Sequence, residues 1–561
     1  MNKMKKGLTL AGAIFFCITG VFASSNEKGI DLYRAELYEA AKIFFTQQTN
    51  QSQTEQAENY YYLGRTYFRL QQNDSAAYFY NKATEVAPNY PFGYIGQGMI
   101  ALTVNDTKTA DALFKKATGL AKKDPSVQTD VAEVYIAVKM YPQAEDALDR
   151  ARKIDKKYSG IYVAEGDMLM QQDKVGDACG RYENAINFDK TDKVAYLNIA
   201  RVYKTINAEQ ALNYLNRLIA IDPNYIPAYA ELGDIHREDG MYALALDAYK
   251  KFISIPGVPV LQHERYAQLL YFTDQYTESL ERIDYVLAQN PSNAVMLRLK
   301  GYNNFKLENY ELAIEQLNSF IQNNPVESII YLDYIMLGRA QLKMKQATEA
   351  IATLLKAAEK DSTKSEVYKE LSAAYELEGN YPEAVKMYEK YFEVESTPVV
   401  FDFFNYGQAN YYAASKYITP EVLKAALTPE QQAANDADLK SYIDKGNGAY
   451  NEVISRSPES FLGYLWRARL NSFLDAVEQA RTEKMSGIAK PYYEEAVQIM
   501  LERNEGGARD KDIVEAYRYL ASYYMVLDDK ANAGEYYKKI LAIDPANEGA
   551  KQALDYMKIK Y

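Results

Sequence analysis

Acid–base, metal and nucleophilic chemistry each need particular side chains in particular groupings, and this chain of 561 residues carries few of them. It has two histidines, His236 and His263, and two cysteines, Cys17 and Cys179. Neither histidine belongs to a His-x-x-His or His-Glu-x-x-His pair that could hold zinc, and the cysteines form no Cys-x-x-Cys. Gly93, Gly96 and Gly98 form a glycine cluster, but they follow no predicted strand, and a phosphate-cradling loop needs one. Acid–base work would fall to carboxylates, which are scattered along solvent-facing positions. The residues therefore predict no catalytic site, no metal and no cofactor. What the chain has in abundance is tyrosine, with 52 of them, and their spacing shows where they stand.

The stretch Ala57–Tyr90 is a 34-residue unit whose residue types return at the same offsets along most of the chain. With Ala57 as position 1, Tyr60 stands at 4, Leu63 and Gly64 at 7 and 8, and Tyr67 at 11. Ala76 follows at 20, Tyr80 at 24, Ala83 at 27 and Pro88 at 32. The apolar residues fall at i, i+3 or i+4, which predicts two amphipathic helices. Gly64 and Ala76 are small enough to let the two backbones approach closely. Asn73-Asp74-Ser75 predicts the turn and the cap of the second helix, and Pro88 its end. Copies begin at Pro125, Ser159, Lys193, Ile226, Ala294, Tyr331, Ser365 and Val514, with weaker ones at Pro91 and Val260. The Lys193–Tyr225 copy has lost one residue between its helices. One such hairpin cannot bury both stripes alone, so neighbours must stack into a solenoid.

These residues resemble the tetratricopeptide repeat, with eight positions agreeing at once. The resemblance covers nearly the whole chain beyond its leader, as roughly fourteen units counting degenerate ones. It implies an all-α fold, a right-handed superhelical solenoid of stacked helix-turn-helix hairpins. The expected organisation is a signal peptide at 1–23, a degenerate first unit at 24–56 and a regular array at 57–398. Irregular units at 399–513, with an inserted helix within 416–439, are followed by a last repeat at 514–547 and a capping helix at 548–561. Thr419-Pro420-Glu421 and Thr428-Pro429-Glu430 each read as a helix start, a threonine cap followed by proline in the first turn. Tyrosines at positions 4, 11 and 24 are core residues, as are His236 at position 11 and His263 at position 4. Cys179, next to Ala178 in a second helix, reads as a small buried hydrophobe.

At the N-terminus Lys3, Lys5 and Lys6 precede the apolar run Leu8–Phe22, and Val21-Phe22-Ala23 has the form of a cleavage site. A retained membrane anchor is the competing reading, but the run is short for a span of ~20 residues. Cleavage after Ala23 predicts an exported, periplasmic protein. Removing the three lysines takes the net charge from −12 to −15, which argues against nucleic acid or an anionic membrane surface as partner.

In stacked tetratricopeptide hairpins the first helices line a concave groove through positions 2, 5, 6, 9, 12 and 13. The family's carboxylate clamp for chaperone tails is incomplete here: Lys369 stands at position 5 but Ala373 follows at 9, and Asn198 at 6 is preceded by Leu197. Two other clusters do occupy groove positions. The first is Tyr271, Phe272, Arg298, Tyr302, Phe305, Lys306, Arg339 and Lys343; the second is Phe404, Tyr411, Tyr412, Arg469 and Phe473, beside the insertion. Arginine beside aromatic rings can hold an extended peptide, and a positive wall would favour an acidic segment of a partner protein. The alternative for each aromatic is packing against the neighbouring unit. The expected function is a non-catalytic scaffold or adaptor of the cell envelope that binds protein segments along the groove. The second binding reading is a glycan or peptidoglycan strand stacked on the aromatic rings.

Overall fold

Every regular element is a helix in the residues described by the computed structural model, namely 26–48, 51–502 and 507–561. The expected signal peptide lies outside the described residues. The fold is all-α, built from antiparallel helix pairs such as Gln53–Arg69 with Asn73–Val86, and Ser159–Gln171 with Val175–Phe188. The chain divides into two compact units, Met1–Met296 and Leu297–Tyr561.

One contact recurs inside the pairs. A Cβ built on Gly64 would stand 2.5 Å from the Tyr80 ring, and one on Gly407 would meet Tyr450 at the same distance. Gly166 faces Tyr182 and Gly233 faces Tyr249 in the same way, while Gly301 and Gly338 face Leu317 and Leu354. The residue at position 8 is thus small because the ring or branched chain at position 24 lies flat on the first helix. Tyr80, Tyr249 and Tyr450 are fully buried as a result. The phenol need not be orphaned: Tyr182 donates to Asp167 at 2.7 Å and Tyr249 to Asp234 at 2.5 Å, both position-9 carboxylates of the same hairpin.

The turn between paired helices differs from the expectation. Asn73-Asp74-Ser75 does not form it; these residues already belong to the second helix, whose N-cap, Gln72, makes no side-chain hydrogen bond. The reversal is made at position 15 by a left-handed residue: Gln71, Asn105, Lys139, Asp173, Asp274, Glu308, Lys345 and Asp528 all have φ between 56° and 62°. Gly240 and Gly379 take the same place in their repeats. The Lys193–Tyr225 repeat, one residue shorter, has no left-handed residue there. Instead Asn207 caps its second helix by accepting from the Gln210 amide at 3.1 Å.

In the second unit Thr419 and Thr428 cap the helices Pro420–Lys424 and Pro429–Arg456. The next first helix, Phe461–Thr482, is long, and buried Asp475 fastens the loop after it. Its carboxylate accepts from the amides of Ile488 and Ala489 and from the Tyr519 hydroxyl of the following repeat. The last helix, Glu548–Met557, buries Leu554 and Met557 in one cluster with Ala533 of the preceding hairpin.

Three substitutions test these statements by their sign. Gly64→Ala should lower stability by about 1–3 kcal/mol, since the Tyr80 ring cannot withdraw without opening the hairpin. Gly180→Ala, inside Val175–Phe188 with nothing near its added methyl, should raise it by roughly 0.5–1 kcal/mol. Lys345→Gly should also stabilise, by about 1 kcal/mol, because it removes a Cβ from a left-handed backbone. Chemical denaturation followed by circular dichroism reads all three.

Candidate functional site

The first helices of successive hairpins in the second unit are Tyr331–Lys343, Ser365–Glu378, Val400–Ser415, Phe461–Thr482 and Asp510–Val526. Charged side chains join the first of these to the second, the second to the third and the fourth to the fifth. Arg339, at position 9, reaches Glu370 at 2.6 Å and Glu366 at 3.1 Å on the following first helix. Lys369 pairs with buried Asp402 at 2.5 Å, and Asp402 also takes the Tyr391 hydroxyl at 2.6 Å. Arg469 reaches Glu515 at 2.6 Å and Asp512 at 3.0 Å. These carboxylates hold the Arg339 and Arg469 guanidiniums above their ordinary pKa despite the burial that opposes it.

The expected first cluster does not present a positive wall. Arg298 is clamped on the fully buried carboxylate of Asp333 at 2.8 and 3.0 Å and donates to the Ser328 carbonyl at 2.6 Å. Tyr302 is buried as well, and its hydroxyl donates to Asp333 at 2.6 Å. Both residues serve the interior of the second unit. Phe305 is half-buried and meets Tyr310 edge-on, while Lys343 is exposed. Tyr271 and Phe272 belong to the first unit, where Phe272 is half-exposed and stacks on Tyr242 at 4.6 Å. Tyr271 stands edge-on to Phe272 and Tyr276.

The second cluster does come together. Tyr411 packs on Phe473 at 4.8 Å and edge-on to Trp466 at 5.3 Å, and Phe404 meets the same indole at 5.9 Å. Tyr412 stacks on Tyr381 at 5.0 Å, and the Arg469 guanidinium lies 4.9 Å over Trp466. Phe401, one turn before Phe404, is 63% exposed, and Tyr412 is 40% exposed. These side chains form one aromatic wall across Val400–Ser415 and Phe461–Thr482. Phe473 itself is buried beneath it. Sequence reasoning missed Trp466 and Phe401. Both were findable, since Phe401 is at position 2 and Trp466, the only tryptophan, is at position 6 of the repeat beginning at Phe461.

Potential acid–base groups lie elsewhere. His263 is buried with its Nδ1 3.0 Å from the Arg282 guanidinium, and burial together with that charge pushes its pKa down to about 4. Burial also lowers His236. Cys179 is half-buried, and its thiol is pushed up by the same cause. Among the described residues, no three or more His, Cys, Asp or Glu side chains are grouped to hold a metal ion. No described helix is long and apolar enough to cross a membrane.

Antiparallel helix pairs, repeated with their first helices joined rung to rung, define a helical-repeat protein of the kind that binds other proteins. Profiles of the tetratricopeptide repeat match residues 57–90, 194–225, 226–257, 267–328 and 515–547. These segments are tetratricopeptide repeats, and such repeats serve generally as protein-interaction scaffolds. Among curated relatives it is 30% identical over 114 residues to small glutamine-rich tetratricopeptide repeat-containing protein 2 of Saccharomyces cerevisiae, covering 20% of this chain and 31% of that one. It is 22% identical over 144 residues to the BBSome complex member BBS4 of Bos taurus, covering 26% and 28%. The chain spans less than a third of the length of the curated relatives it matches. A solved structure, the C-terminal part of a repeat protein from Cytophaga hutchinsonii, is 25% identical, covers 52% of this chain and 99% of its own, and has a TM-score of 0.39.

Glu376, on the first helix Ser365–Glu378, gives a pH prediction. Burial pushes its carboxyl up to about 7, opposed only by a hydrogen bond with Ser372. The folded protein therefore holds this proton more tightly than the unfolded chain, whose carboxyl titrates at the ordinary 4.5. Stability present below that value is lost as the pH rises through about 7. Glu376→Gln removes the loss, so its Tm should exceed wild type by a few degrees under mildly alkaline conditions. In mild acid the two should converge, as thermal melts at each pH would show.

Proposed function

We propose that this chain is a non-catalytic scaffold of the cell envelope, and that the aromatic wall of its second unit holds an extended, apolar stretch of a partner protein. The observation that carries the reading is the row Phe401, Phe404, Tyr411, Tyr412 and Trp466 at groove positions, with Phe401 and Tyr412 open to solvent. Flat aromatic surface of this kind contributes binding area at low entropic cost. An acidic partner segment loses its basis, because Arg298, Arg339 and Arg469 already face carboxylates. Any charge they offered a ligand would first have to be taken from those partners. The non-catalytic reading is supported by two histidines held down by burial and by the absence of an activated nucleophile beside them. Export rests on the lysines and apolar run before Ala23, and with it the envelope setting.

Capture of partners from crosslinked envelope fractions of the source cell tests this, with the full chain beside its Phe401→Ala/Tyr412→Ala variant. Both side chains are exposed, so the variant should melt within about 2 °C of wild type. A partner protein should be recovered at least tenfold less by the variant, and its recovery by wild type should survive high salt because no exposed ion pair carries it. Equal recovery by both chains would overturn the assignment of the wall. Co-sedimentation with purified glycan strands, with no protein recovered, would replace the protein partner by a sugar polymer.

A further inference from the structure

In a repeat array each hairpin touches its neighbours, yet the first two described helices, Glu27–Arg34 and Tyr38–Thr46, reach much farther. Lys193, the first residue of Lys193–Lys204, holds the Glu27 carboxylate at 3.1 Å and that of Asp31 at 2.6 Å. Arg201 at position 9 of the same helix donates to the carbonyl of Ala35 at 3.0 Å. On the other side Arg65, position 9 of its own repeat, donates to the Tyr33 hydroxyl at 3.0 Å. Arg34, an exposed residue, interacts electrostatically with Tyr62, Glu133, Tyr158 and Asp192, which come from three different repeats. The helix Glu27–Arg34 therefore lies on the concave side, bridging first helices that are several repeats apart.

Its seat is built for it. Leu32 and Phe45 share one apolar cluster with Phe252, Ile255 and Val258. Gly257, at φ +79°, closes on the second short helix, and a Cβ there would stand 2.9 Å from the Ala40 amide nitrogen and 2.8 Å from Ile43. The occupant has little helical stability of its own. Glu27–Arg34 is 8 residues long and Tyr38–Thr46 is 9, with no side-chain cap at either start. Helices of that length are marginal in water, so the seat supplies their order. Lys193 and Arg201 match what the helix presents: two carboxylates one turn apart, then a free carbonyl at its end.

We infer that the Glu27–Arg34 helix is a displaceable intramolecular ligand of the first unit's concave face, and that this face takes an external helix bearing two carboxylates one turn apart. The inference stands apart from the aromatic wall, which belongs to the other unit. A synthetic, fluorescein-labelled peptide of residues 26–48 is the probe, titrated against the full chain and followed by anisotropy. Wild type, with its seat filled, should bind it weakly. Glu27→Lys/Asp31→Lys sets the resident helix against Lys193, and this variant should bind the peptide at least tenfold tighter. Adding Lys193→Glu restores attraction to the resident helix and repels the peptide, so the gain should vanish. Peptide binding by the double variant no tighter than by wild type would overturn the inference. So would loss of helical circular dichroism in that variant, recovered in the triple variant, because the helix pair would then be a fixed part of the core.

Discussion

The contact on which the architecture depends is the ring of position 24 lying against the bare backbone of position 8. Where Gly64, Gly166, Gly233 and Gly407 meet Tyr80, Tyr182, Tyr249 and Tyr450, the first helix gives up its side chain so that the second can approach at ring thickness. Leu317 and Leu354 meet Gly301 and Gly338 in the same geometry, so the requirement is for a filled slot rather than for a phenol. The phenol adds a polar tip that can reach the first helix. Tyr182 and Tyr249 use it to bond Asp167 and Asp234 on the concave side, tying a core contact to the electrostatics of the groove. Burial holds the Asp167 carboxyl up to about 7, so this groove carboxylate is easily protonated near neutrality.

The same chemistry explains why the groove arginines Arg298, Arg339 and Arg469 are not available to ligands. Arg339 at position 9 finds Glu366 and Glu370, 27 and 31 residues on, which are positions 2 and 6 of the following repeat. Arg201 finds Glu231, 30 residues on, because its repeat is one residue short. Such pairs are partly shielded from water and fix the angle between neighbouring first helices more than they add stability. A charged groove built this way is a structural seam. The aromatic wall around Trp466, with Phe401 and Tyr412 exposed, is a surface of the second unit that this seam leaves uncovered.

Much of the fold was legible because the 34-residue period writes the same small and large residues at the same offsets. Pro420 and Pro429, each behind a threonine, stand at true helix starts. The left-handed turn residue was not legible. It is Gln, Asn, Lys, Asp or Glu in different repeats, since the hairpin imposes that backbone whatever side chain is present. Arg298 and Tyr302 sat at groove offsets, but their partner Asp333 lies in the next repeat, so pairing could be seen only by reading two repeats together. The long reach of Lys193 to Glu27 and Asp31 crosses more than 160 residues, a separation at which one sequence carries no pairing signal.

The indole at the aromatic wall has a spectroscopic consequence. With one tryptophan among 52 tyrosines, the chain is an antenna with a single acceptor. Tyr411, Tyr412, Phe404 and Phe473 crowd the vicinity of that acceptor, and the Arg469 guanidinium lies over it. Light absorbed by the nearest phenols will drain into Trp466, whose emission colour is set by how much water reaches the wall. The protein therefore carries its own dye at the surface most exposed to change, and no label is needed to watch that surface become covered.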